Sequence, residues 1–530
     1  PRSGADPAVV EFRGEYYMFV TRSWGYWHSK DLLNWDFITP EKWYFEGCNA
    51  PAAHNYKDSV LYVCGNPSGA MSILYTDNPK RGDWKAVPSV LHDLQDPALF
   101  IDDDERAYMY WGSSNRWPIR GKELDMKNKS LPIAKKPDSL LFLRPDIHGW
   151  ERFGENHTSD IKPFIEGAWM TKHNGKYYLQ YAAPGTQFNV YGDGVYVGKS
   201  PLGPFEYAAH NPFCYKPGGF ATGAGHGSTV CGPGGIYWHF GTIHLSINYK
   251  FERRLCMFPT FFDEDGVMYS DTYFGDYPHY SPDQVSRQTT SGGFRGWMLL
   301  SYGKPVKASS QLESYPVENV TDENLKTFWV AEKNDDKQWV EIDLEEVSDV
   351  YALQLNFFDY EETGFWGRMP KLWQRYLVEA SVDGARWRVL VDYRNSFRDA
   401  PHNYIELDQP IEARYIRYRH HYVPGKNLAM GDIRVFGLGR GKKPATVKGF
   451  TVVREADERN ARISWKAVKG AQGYNVLWGV ALDKLYSSWM VYGDNSLDLR
   501  ALTVGQKYYF AIEAFNENGI SQRVFLREAH

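Results

Sequence analysis

The chain is predicted to be all-β: a five-bladed β-propeller, then a β-sandwich, then a C-terminal Ig-like β-sandwich. Three observations lead there. Short aromatic runs broken by Gly, Asn and Asp recur throughout, and no long amphipathic helix interrupts them. A small unit repeats five times in the first 300 or so residues. Glycine-rich linkers at 292–303 and 437–444 then separate two segments of different texture.

The strands of the first region include 15–20, 60–64, 107–111 and 176–181, each rich in Tyr, Phe, Trp or Val. The repeated unit has a head, an acidic or small residue beside Pro or Gly. It reads Ala5-Asp6-Pro7-Ala8, Ala50-Pro51-Ala52, Gln95-Asp96-Pro97-Ala98, Glu166-Gly167-Ala168 and Gly225-His226-Gly227-Ser228. A second unit trails several heads, a strand entering a turn that ends in an aromatic, as in 28–35 (HSKDLLNW). Heads about 45 to 70 residues apart suit four-stranded blades around an axis. Equivalent positions of all five blades then converge on one channel. Alternating runs at 339–344, 376–381 and 415–418 predict half-buried strands in a second domain, 304–439. Runs at 461–465, 473–478 and 507–512 predict a small sandwich in a third, 440–530, after a propeller spanning 1–303.

Composition narrows the function. Of 530 residues, 43% are hydrophobic and 16% aromatic, with 19 Trp and 37 Tyr; rings of this kind pack in sheets and also stack on sugar faces. The net charge is −5 without a basic block, which argues against a nucleic-acid partner. No apolar stretch is long enough to span a membrane. No phosphate-cradling Gly loop followed by Lys-Ser/Thr is present, which disfavours nucleotide chemistry. The chain starts at Pro1 rather than Met, so a removed leader or initial segment is expected. Five cysteines (48, 64, 214, 231 and 256) form neither a C-x-x-C pair nor a metal spacing, and read as buried free thiols.

Three of the five heads carry a carboxyl group expected to face the axis: Asp6, Asp96 and Glu166. Acids pointed into one cleft push one another's pKa values apart. Glycoside cleavage needs that outcome, one carboxyl protonated to serve the leaving oxygen and one ionised to activate water.

The order Asp-Pro, Ala-Pro, Asp-Pro, Glu-Gly, Gly-His-Gly, with 28–35 after the first head, resembles the family 43 glycoside hydrolases over nearly all of residues 1–300. The resemblance implies Asp6 as general base of an inverting mechanism, Glu166 as general acid, and Asp96 as the residue that tunes and orients Glu166. Base and acid would stand about 6.5–9.5 Å apart. It also implies an axial role for His226, in contact with a Ca²⁺ or a water cluster. Arg253 would contact a sugar hydroxyl, with Arg254 as the competing choice. Trp24, Trp27, Trp43 and Trp169 lie near repeat heads and are expected as platforms under the sugar. No organic cofactor is expected. The product would be xylose, arabinofuranose or galactose, released by exo-action from polysaccharide or oligosaccharide side chains outside the cytoplasm: secreted, periplasmic or at the cell surface. A lectin-like propeller that binds sugar without cutting it is the alternative, against which the retention of three carboxylates speaks. Nothing in the sequence sets the oligomeric state.

Residues 304–439 resemble discoidin (coagulation factor type C) domains, a group that includes family 32 carbohydrate-binding modules. The match is carried by 308–310, 319–322, 327–329, 339–344, 379–384 and 431–437. The resemblance implies a structural Ca²⁺ held by Asp322, Thr327 and Asp432, a hard-oxygen set. It also suggests a sugar-stacking loop with Phe365, Trp366 and Arg368. Residues 445–530 resemble fibronectin type III domains through 463–465, 474–476 and 508–512, a spacer or docking module with no chemistry assigned.

Overall fold

The computed structural model describes residues 3–41, 48–66, 70–92, 94–124, 138–285, 293–361 and 372–526. Among them there is no α-helix; strands and a few 3₁₀ turns make up all the regular structure. Trp43, Phe365, Trp366 and Arg368 lie outside the described residues.

Five four-stranded antiparallel sheets follow one another along the chain, and each is built from four consecutive strands. Their first strands are Ala8–Phe12, Asn49–Tyr56, Ala98–Ile101, Glu166–His173 and Gly225–Cys231. Each first strand lies against the first strand of the next sheet, and the fifth lies against the first. That closed ring is the five-bladed propeller. Blade 1 takes all its strands from residues 8–38, so no late strand is exchanged into it. The ring is instead tied where Gly4 N–H donates to the Arg253 carbonyl (3.1 Å) and Arg253 N–H to Ser3 Oγ (3.0 Å).

The second domain is one eight-stranded sheet built around two very long strands, Trp339–Phe357 and His402–Tyr422. Their pairing slips twice, between Asp343 and Ser348 and between Val350 and Ala352. Bulges of this kind bend a strand, which lets the sheet curl over its own core of Trp329, Leu353, Tyr376 and Tyr418. Met298–Leu299 already pairs with this sheet, so it reaches upstream of the expected start at 304.

The C-terminal segment forms a three-stranded and a five-stranded sheet packed on Trp465, Val476 and Ile512. This core is not separate. It runs continuously into Trp150, Tyr181 and Tyr215 of the propeller. Gly149 N–H donates to the Leu502 carbonyl and Val504 N–H to the Ile147 carbonyl, which staples the two bodies together. All five cysteines are free thiols; Cys64 and Cys214 are buried, whereas Cys231 is exposed, against the expectation for it.

Candidate active site

Each blade enters the channel through the same strained turn. Asp6 (φ 54°), Ala50 (42°), Asp96 (48°), Gly167 (64°) and His226 (50°) all have left-handed backbone. In blades 2, 4 and 5 the strand ladder slips at that point, between Asn49 and Ala52, Glu166 and Trp169, and Gly225 and Ser228. A bulge re-aims a side chain, and a non-glycine residue held there costs about 1–3 kcal/mol. Asp6, Asp96 and His226 therefore share one structural position, and in blade 4 that position belongs to Gly167. Glu166 stands one residue earlier. The expected equivalence of Glu166 with the two aspartates is corrected accordingly, and the reason is steric. A Cβ on Gly167 would lie 2.8 Å from His226 Cγ, so the imidazole fills the space that a side chain would need.

The heads line a cavity of about 310 Å³ holding Asp6, Asp96, Glu166, His226 and Arg253, with Thr21, Ser113 and Thr186 beside them. Asp6 is the most heavily held. Its N–H donates to Thr242 Oγ1 (3.0 Å), Oδ2 accepts from Thr21 Oγ1 (2.5 Å), and Oδ1 faces Arg253 Nη1 (3.2 Å) and His226 Nδ1 (3.4 Å). Burial alone would raise its pKa, but Arg253, His226 and the Thr21 hydroxyl outweigh it and hold the carboxyl below its usual range. Asp6 is therefore ionised near neutrality.

The other two acids of the cavity are held differently. Glu166 accepts from Tyr191 OH at Oε1 (2.5 Å) and from Ser113 Oγ at Oε2 (3.0 Å). Asp96 is pushed up to about 7, by burial first, against the pull of His226, with the Glu166 and Asp6 charges adding to the rise. Asp96 thus keeps its proton up to near neutral pH. His226 lies 3.9 Å from Asp96 Oδ2 as well as 3.4 Å from Asp6. Burial would lower its pKa, but Asp6, Asp96, Glu166 and Asp193 together raise it. The imidazolium supplies the positive charge at this point. Among the described residues no group of three or more His, Cys, Asp or Glu is placed to hold a metal ion.

Sequence reading missed the supports. Asp193 is fully buried; it accepts from His226 N–H (2.7 Å) and Gly227 N–H (3.0 Å) and pairs with His239 (3.1 Å), fixing the blade-5 turn. Its signal was an acid between two glycines, Gly192 and Gly194, after an aromatic. Thr21, Ser113 and Tyr191 carried no comparable signal. Arg253 is the site arginine, whereas Arg254 turns outward to His402 of the second domain (3.1 Å). Among the described residues, Trp24, Trp27 and Trp169 of the expected platform are not in the cavity wall. Trp27 packs edge-on against Phe37, the Trp169 indole donates to the Thr229 carbonyl (3.3 Å), and Trp24 is half-buried outside the lining. The aromatics that do line the cavity are Tyr249 and Phe251.

In the second domain Thr327 Oγ1 donates to Asp322 Oδ2 (2.7 Å), and Asp432 Oδ1 accepts from Glu323 N–H (2.7 Å). Asp432 Oδ2 is buried without a partner, and burial drives the pKa of this carboxyl well up. An orphaned carboxylate oxygen beside Asp322 and Thr327 fits a hard cation.

With that geometry in place, comparison with known proteins is informative. Residues 305–430 match the F5/8 type C domain. A beta-xylosidase of Xylanibacter ruminicola is 33% identical over 202 residues, covering 34% of this chain and 57% of that protein. Xylosidase/arabinosidase 43A of Humicola insolens is 33% identical over 140 residues, covering 21% of this chain and 40% of that protein. The chain thus spans about half the length of these relatives. A solved thermostable family-43 glycoside hydrolase aligns over 53% of this chain and 97% of its own, at 20% identity and TM-score 0.44. Residues 1–268, half of the chain and all five heads, match the model of Glycosyl hydrolases family 43, and the chain belongs to that family.

Proposed function

We propose that the protein is an inverting, exo-acting glycoside hydrolase that releases a terminal pentose, xylose or arabinofuranose, from a polysaccharide or oligosaccharide. Galactose is a third candidate product. The observation that carries the reading is the electrostatic contrast across one cavity. Asp6 is held ionised by Arg253, His226 and Thr21, while Asp96 beside Glu166 keeps its proton up to about pH 7. A base and an acid with separated proton affinities are what glycoside cleavage requires. In this reading Asp6 draws a proton from water as the water attacks the anomeric carbon. Glu166, oriented by the Tyr191 and Ser113 hydroxyls, protonates the departing oxygen. Asp96 tunes and orients Glu166, and His226 balances the anions. The names of the relatives, a xylosidase and a xylosidase/arabinosidase, support the pentose.

Replacing Asp6 with Ala tests this. Turnover on xylosides and arabinofuranosides should fall by about 10³-fold or more while sugar binding by calorimetry persists. Retained turnover would favour a lectin-like propeller instead. Further parts of the proposal are a Ca²⁺ held by Asp322, Thr327 and Asp432, a fibronectin type III-like spacer at 440–530, and action outside the cytoplasm. No helix among the described residues is long and apolar enough to cross a membrane.

A further inference from the structure

Arg253 is held in an unusual way for a residue that faces a buried carboxylate. Its Nη1 meets Asp6 Oδ1 (3.2 Å) and Thr186 Oγ1 (3.3 Å), while its Nε is buried without a partner. With so few side-chain contacts, the guanidinium is aimed mainly by its own backbone. That backbone also holds the segment that carries Asp6. Arg253 N–H donates to Ser3 Oγ (3.0 Å), and the Arg253 carbonyl accepts from Gly4 N–H (3.1 Å). Whatever fixes the Arg253 carbonyl therefore fixes the carboxylate and the arginine together.

The next residue does this, with help from the second domain. Arg254 Nη1 donates to the Arg253 carbonyl (3.1 Å), and Nη2 lies 3.4 Å from Glu252 Oε1. Arg254 Nε donates to His402 Nε2 (3.1 Å), at the start of the long strand His402–Tyr422. His402 sits directly across the sheet from Asn356, with Nδ1 at 2.9 Å from Asn356 Oδ1. Asn356 Nδ2 in turn donates to the Asp432 carbonyl (2.8 Å). The polarity agrees along the whole run. An arginine only donates, so His402 Nε2 accepts and Nδ1 carries the proton. Asn356 Oδ1 then accepts, which leaves its amide hydrogens for Asp432. Asn356 is fully buried, so the far end of the run is firmly seated.

We propose that His402 of the second domain is a positioning residue for catalysis: it orients Arg254, which clamps the Arg253 carbonyl and so sets Arg253 against Asp6. This rests on the reading of Asp6 as general base. The second domain is thereby part of what holds the catalytic groups in register.

The test is the pH dependence of kcat/KM on a xyloside or an arabinofuranoside. Arg253 helps to keep Asp6 ionised, so a looser Arg253 raises the Asp6 pKa and moves the acid limb to higher pH. His402→Phe keeps a ring but offers no acceptor. It should move the acid limb up by about half to one pH unit and lower kcat about tenfold, with KM within about twofold. His402→Gln, whose amide oxygen can accept from Arg254, should bring kcat back to within about threefold of wild type. Arg254→Met should do at least as much as His402→Phe, and the double variant no more than Arg254→Met alone, because both act through one contact. An acid limb that stays in place in both single variants overturns the positioning role, even if their melting temperature falls. So does an equal loss in His402→Gln, or a double variant whose losses add. In each case wild-type turnover leaves the glycosidase reading standing; a wild-type protein that hydrolyses no glycoside overturns both.

Discussion

Asp96 is pushed up to about 7 because it is buried beside two other acids, against the pull of His226 and the Ser113 hydroxyl. The sign of the effect follows. Below that value Asp96 holds a proton; above it the site loses that proton and gains a buried negative charge. kcat/KM should therefore decline on the alkaline side with an apparent pKa near 7. In Asp96→Asn the titrating carboxyl is gone, so the alkaline limb near 7 should be displaced or lost. A pH–rate profile that does not move would remove Asp96 from this role. Gly167→Ala makes a second test. A Cβ there sits 2.8 Å from the His226 ring on a backbone with φ 64°. The variant should lose about 1–3 kcal/mol of stability, measured by denaturant titration, and most of its kcat. At this scale the acids, His226 and Arg253 were legible because they occur in a repeat or match a motif. Thr21, Ser113, Tyr191 and Asp193 were not. They act through hydrogen bonds set by tertiary placement, and hydroxyls, like a lone acid between glycines, are too common to stand out. The tryptophans misled for a related reason, since nearness to a head in sequence does not say which face of a strand a ring occupies.

Among elements, the turn at 28–35 repeats beyond the propeller. Asp31 accepts from Leu33 and Asn34 N–H while the Trp35 indole donates to the Leu32 carbonyl. In the second domain Asp383 accepts from Ala385 and Arg386 N–H and the Trp387 indole donates to the Gly384 carbonyl. The motif is thus a self-contained way of turning a hairpin, and its recurrence among blades reports architecture rather than chemistry. Strands such as Ala107–Trp111 were legible to the residue, because aromatic runs bounded by turn formers encode them locally. The bulges that shift Glu166 relative to the other heads were not, since they depend on what the next blade places in the gap. Asp432 carries this element-scale logic to a metal. If Asp322, Thr327 and Asp432 hold Ca²⁺, adding it should raise the melting temperature, and a chelator should reverse the gain. At a hundredfold excess over Kd the stabilisation amounts to about 2.7 kcal/mol. Asp432→Asn should abolish the shift; a variant that still responds would place the ion elsewhere.

For the whole molecule, three domains share their interiors. Arg434 of the second domain is buried, paired with Glu323 (2.6 Å), and donates to the Asp276 carbonyl (2.7 Å) under the propeller; its guanidinium lies 4.3 Å from the Phe220 ring centroid. Tyr492 of the C-terminal sandwich reaches the same Glu323 (3.4 Å). Replacing Arg434 with Leu leaves a buried acid unpaired and should cost about 3–5 kcal/mol. Scanning calorimetry of the intact chain should show one cooperative transition rather than three, and separate transitions would mean that these contacts do not couple the domains. The sequence showed three segments but not their fusion, because a residue such as Trp150 looks the same whether its partners come from its own blade or from far along the chain.

That fusion has a consequence for how the protein is made. The apolar surface around Trp150 and Tyr181 is completed by Trp465, Trp478 and Ile512, near the end of the chain. At about 5–20 residues per second, the ribosome leaves that surface uncovered for roughly tens of seconds after blade 4 emerges. During synthesis, blades 3 and 4 must therefore wait, with their apolar face open to chaperones or to other nascent chains, until the last sandwich arrives to cover it.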